Sequence, residues 1–142
     1  MTREQKALVD IKKNVLKLWN TKKVLSNTLV KRMLDLTARN IDGVMRKYKL
    51  DDQESLRLAE SAENYMFSIL EERIYEELDD ISTEMMKISL AEQFGMKLPE
   101  QKAEIRDNLL EIKECLEQTN IDECLKISEW IKNFISEQLQ PN

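Results

Sequence analysis

The scarcity of chain-breaking residues constrains this sequence most: 142 residues hold only two glycines and two prolines. Glycine supplies the positive φ of tight turns, and proline punctuates loops and strand edges. A turn-rich fold of short strands needs many of both, so long helices with few connections are the natural alternative. At this length the chain can bury a core without metal or disulfide support. The expected fold is all-α: an antiparallel helical bundle of about five helices with one long central helix, forming a single domain over residues 1–142.

Periodicity and caps locate the helices. Thr2 and Gln5 have the spacing of a capping box, followed by Leu8, Ile11, Val15 and Leu18 at helical intervals with Trp19 beside them. A second helix is predicted from about Val24 to Tyr48, with Leu25, Leu29, Met33 and Leu36 on one stripe and Gly43 inside. Asp51 and Glu54 mark a new N-terminus. The third segment, Asp52 to Phe94, sustains helical spacing through Met66, Leu70, Ile74, Leu78, Ile81, Met85 and Ile88. Unbroken, it reaches about 65 Å at 1.5 Å per residue. Either it breaks near residues 79–83 or it projects and finds a partner. Gly95 suits a left-handed C-terminal cap, Pro99 suits the first turn of a fourth helix, and Asn120 with Glu123 is expected to start a fifth.

Charge divides the chain. Residues 1–50 carry 13 Lys and Arg against 4 Asp and Glu, whereas residues 51–142 carry 9 against 23. A basic half of this kind can serve nucleic acid, whose affinity for proteins rests largely on cations displacing counterions from phosphates. Lys13, Lys17, Lys22 and Lys23 are the candidate contacts. Within the second helix, Arg32, Asp35, Arg39, Asp42 and Arg46 alternate in sign at spacings of three and four, which also predicts a self-paired exposed face.

Several chemistries are excluded by composition. The chain has no histidine, so Ser-His-Asp and Cys-His systems and histidine-containing zinc sites cannot form. Cys115 and Cys124 are the only cysteines, too few for a four-thiolate site and best read as small core residues. Gly43 and Gly95 are too far apart for a phosphate-binding loop. No run of about 20 apolar residues offers a membrane span, and the N-terminus is charged where a signal peptide would be apolar. A cytoplasmic location is expected, with no membrane partner and no cofactor.

One carboxylate pattern bears on catalysis. Glu60 and Glu63 form E-x-x-E, Glu77 and Asp80 form E-x-x-D, and the segment ELDDISTEMMKISLAEQFGMKLPE follows with a late glycine and an acidic restart. Over some 45 residues this resembles the metal-binding motif of MazG-type nucleotide pyrophosphohydrolases. The resemblance implies an all-α enzyme in which two antiparallel helices gather these four acids around Mg²⁺. The intervening NYMFSILEERIYE, however, has helical periodicity and neither Gly nor Pro. On one continuous helix Glu63 and Glu77 stand about 21 Å apart, whereas the ligands of one ion lie within about 2–3 Å of it. A solvated acidic face is the expected reading.

Tyr65, Met66, Phe67, Ile69, Leu70, Ile74, Tyr75 and Leu78 form an apolar arc wider than one neighbouring helix requires. Surplus apolar surface of this kind marks an interface. The leading expectation is a non-enzymatic adaptor, regulator or small assembly subunit working by protein–protein contact, with another protein or a second copy of the chain as partner. The alternative is a nucleic-acid-associated regulator using residues 1–50.

Overall fold

The computed structural model describes residues 1–20, 24–97 and 99–139. These residues form five helices and no strand: α1 (Arg3–Trp19), α2 (Asn27–Lys47), α3 (Asp52–Gln93), α4 (Pro99–Gln118) and α5 (Asp122–Gln138). The all-α reading and the long third helix are both observed. α3 runs unbroken for 42 residues, straight through the stretch at 79–83 where the sequence suggested a break. Its absence of Gly and Pro leaves nothing to interrupt the backbone ladder.

Helix ends follow local chemistry. Thr2 and Gln5 exchange side chain-to-backbone bonds of 3.1 and 2.9 Å, and Asp51 and Glu54 do the same at 2.8 and 3.2 Å. α2 begins later than the predicted Val24, because the Ser26 hydroxyl accepts the Leu29 amide and stops the helix there. Gly95, at φ 88°, closes α3: its amide bonds Glu92 and the Met96 amide bonds Ala91, the paired pattern of a Schellman end. Asn120 does not cap α5 as expected. It adopts φ 55° at the end of α4, and α5 starts from Ile121 with no side-chain cap bond. Asparagine tolerates the left-handed region, which suits it to that terminal turn.

The chain divides into two compact units, Met1–Lys23 with Lys31–Glu72, and Val24–Val30 with Arg73–Asn142. In the first unit, α1 lies antiparallel to α2: Asp10 accepts from Tyr48 at 2.5 Å, Asn40 from Asn14 at 3.4 Å, and Thr37 from Trp19 at 3.2 Å. α1 is parallel to the first half of α3, where Arg57 meets Glu4 at 2.8 Å and the Lys12 ammonium sits 5.4 Å from the Tyr65 ring centre. Ala7, Ile11, Val15, Trp19, Val44, Leu58 and Leu70 are among the core residues. The expected pairing on α2 is present in two exposed bridges, Asp35–Arg39 at 3.0 Å and Asp42–Arg46 at 2.8 Å.

In the second unit, α3 turns back into α4 and α4 into α5. Lys102 pairs with Glu92 at 2.9 Å across the first turn, and Ser82 of α3 donates to Gln138 of α5 at 3.2 Å. Ile74, Ile81, Ile88, Ile112, Leu116, Ile127 and Ile131 belong to the core, with Cys115 and Cys124 buried as free thiols.

One buried polar group in the first unit is fully occupied. Thr37 accepts the Trp19 indole N–H and donates to the Met33 carbonyl at 2.8 Å. Thr37→Val keeps the shape but strands the indole donor, so it should cost about 1–3 kcal/mol. Urea unfolding measures this, with Thr37→Ser expected to retain most of the stability. A valine variant as stable as the parent would show that the bond contributes nothing net.

Candidate protein-contact surface

The inner face of α3 in the second unit is apolar except at Glu77, which falls three residues after Ile74 and four before Ile81, on the buried stripe. Its residue is 8% exposed, which corrects the expectation that these acids form a solvated face. Burial pushes the carboxyl above the usual glutamate range, the Asp80 charge adds to this, and Arg73 and the Leu25 amide oppose it. Arg73 lies one turn away on α3 and bonds Glu77 at 3.3 Å.

Opposite that stripe, the outer face carries Tyr75, Asp79, Met86 and Leu90. Their spacings of four, seven and four residues keep them on one side of a helix. Tyr75 is 67% exposed, Met86 73% and Leu90 56%. The Schellman turn then presents Phe94 and Met96, both exposed. Beside this ridge runs an open groove of about 620 Å³, lined on α3 by Ser82, Met85, Met86, Ser89 and Leu90. Lys102 of α4 and residues 137–139 at the end of α5 form its other side. The small Ser82 and Ser89 side chains leave the hollow, and Met86 and Leu90 stand along its edge.

The charged rim is one-sided. Glu76, Asp79, Asp80, Glu84 and Glu137 are all exposed. Among the described residues none of the five has a cation at ion-pair distance. Lys87 is the exposed cation on this stretch of α3, whereas Lys102 is held by Glu92.

The predicted arc is placed differently from its expected role. Met66, Phe67, Leu70 and Ile74 are core residues, and Tyr65, Ile69 and Leu78 are half-buried. Tyr65, Met66, Phe67, Ile69 and Leu70 fall in the first unit, where this half of α3 runs beside α1, and Ile74 and Leu78 fall in the second. Tyr75 alone of the eight lies open. The exposed apolar side chains instead continue toward the C-terminal end of α3. Met86, Leu90, Phe94 and Met96 were not singled out by periodicity, because two apolar stripes on one helix merge when read from sequence.

Of the basic candidates, Lys13 and Lys17 are exposed on α1, whereas Lys22 and Lys23 lie outside the described residues. Lys17 lines a second open groove with Asn14, Leu18, Leu36, Arg39 and Asn40. The Arg39 guanidinium there is already paired with Asp35. Glu60, Glu63, Glu77 and Asp80 are strung along the one continuous helix. Among the described residues no three acidic or thiol side chains gather where they could hold a metal ion, and no helix is long and apolar enough to cross a membrane. No protein-family model, curated protein sequence or solved structure matches the chain.

The buried carboxyl gives a pH signature with a definite sign. A group that binds its proton more tightly when folded loses stabilising influence as pH rises through its folded pKa. Lowering the pH from neutral toward the usual glutamate range should therefore favour the parent over Glu77→Gln. Denaturation of both proteins across that range measures the difference; a difference that stays flat would show that Glu77 titrates as an exposed acid does.

Proposed function

We propose that the chain is a non-enzymatic interaction module that binds another protein along the outer face of α3 and the groove beside it. The observation that carries this reading is the exposed ridge of Met86, Leu90, Phe94 and Met96. Single exposed apolar residues are ordinary on protein surfaces, but contiguous ones beside a groove are the usual mark of a contact site. Burying one such side chain contributes about 1.5–3 kcal/mol, so three or four together offset a large part of the cost of association. The absence of histidine and the dispersed carboxylates agree with a role in contact rather than in catalysis.

A photo-crosslinking residue placed at Met86 of the full chain, in its native cell, should give a discrete heavier adduct. That adduct should vanish when Leu90→Asp is added, and should not form from the same probe at Arg32. Equal adducts from both positions would overturn the reading.

A second reading is favoured by the groove holding Lys17 and Arg39, beside which Lys13 is exposed. Nucleic acid could engage this basic surface through its phosphates. Retardation of DNA or RNA at low salt, weakened about equally across sequences by Lys13→Ala with Lys17→Ala, is its expected signature. No retardation at low salt removes it.

A further inference from the structure

We infer that the partner segment at α3 is an amphipathic helix whose apolar stripe is flanked by lysine or arginine. This deepens the contact reading above and rests on it. The face to be covered is itself one side of a helix, with Tyr75, Met86 and Leu90 spaced so that a second helix can lay its own three-and-four-spaced apolar residues against them. Its length, from residue 75 to 90, is about 22 Å at 1.5 Å per residue, a span that four or more turns of a partner would match.

Charge decides the flanks. Asp79 interrupts the apolar ridge on the same face. Glu76 and Asp80 stand along one edge, and Glu137 lines the groove across from α3. All four are exposed and, among the described residues, none has a cation at ion-pair distance, with Lys87 the exposed cation on that edge. An acidic or uncharged helix seated here would leave those carboxylates facing like charge or losing water without compensation. A basic one would pair with them while its apolar stripe meets Met86 and Leu90.

The test uses the full chain and two labelled peptides of about five turns, identical in their leucine stripe, one flanked by lysine and the other by glutamate. Fluorescence anisotropy should show the lysine peptide bound at least about tenfold tighter than its twin. Met86→Ser with Leu90→Ser should weaken that binding by about tenfold or more, while far-ultraviolet circular dichroism stays unchanged because both side chains are exposed. Glu76→Gln with Asp79→Asn should weaken it too and flatten its dependence on salt. Equal binding of both peptides, each lost in the Met86 and Leu90 variant, would overturn the basic partner and leave the contact surface standing. Binding of the lysine peptide that ignores Met86 and Leu90 would overturn the inference as mere attraction to an acidic protein. Binding of neither peptide would overturn the helical partner. Association with neutral phosphatidylcholine vesicles, abolished by the same two serines, would replace a protein partner with a lipid surface and overturn both.

Discussion

The second unit is organised around one carboxylate. Glu77 takes a bond from the Arg73 guanidinium at 3.3 Å beside the Leu25 backbone, whose amide favours the charged carboxylate, while the Leu25 carbonyl accepts from the Asn108 side chain at 2.9 Å. Leu25 precedes α2, so no helical ladder serves its backbone, and it is 1% exposed. A buried carbonyl without a partner costs about 1–3 kcal/mol. Asn108 removes that penalty for Leu25 and ties the 24–30 segment to α4. A buried ion pair alone is often no better than an apolar pair of similar size. What distinguishes this one is its place beside the Leu25 backbone, whose amide favours the charged carboxylate.

With position 77 turned inward, helical geometry dictates the opposite side. Residues 75, 79, 86 and 90 must point away from the core because α3 has no residue that could change its phase. The same continuity separates the acids that a metal site would need to collect. Glu60 and Glu63 belong to the first unit, and Glu77 and Asp80 to the second. Glu77 is moreover paired with the Arg73 guanidinium.

Much of this architecture was legible in the residues. The capping pairs at Thr2 and Asp51, the glycine end at Gly95 and the unbroken α3 all follow from chemistry confined to a few neighbouring positions. The register of burial was less legible. On α1 the core includes Ala7, which pattern reading passes over because a methyl group gives little hydropathic signal. On α3 the errors ran both ways. Met66, Phe67, Leu70 and Ile74 read outward because the arc is wider than one neighbour requires, yet each is packed into the core of its own unit. Glu77 was assigned outward because it is an acid, yet its place between Ile74 and Ile81, one turn after Arg73, contained the signal. Whether a charged residue is buried depends on segments that can be far away in sequence, here the backbone at Leu25, and no local pattern encodes that.

The distribution of exposed apolar groups completes the case for a contact surface. Val9, Leu16, Leu56, Leu110 and Ile121 are exposed too, but they are scattered over three helices and a turn, as isolated apolar residues are on most proteins. Met86, Leu90, Phe94 and Met96 fall within eleven consecutive positions, and the fold makes no use of them: they neither fill the core nor close the Schellman turn, which rests on backbone bonds from Gly95 and Met96. Polar side chains would serve the turn equally well and would cost nothing in solubility. Methionine is also the apolar residue best able to reshape itself against a partner, because its unbranched chain has several low-energy rotamers. Side chains that are costly in water, unnecessary to the fold and adaptable in shape have their physical justification in what they touch outside the chain.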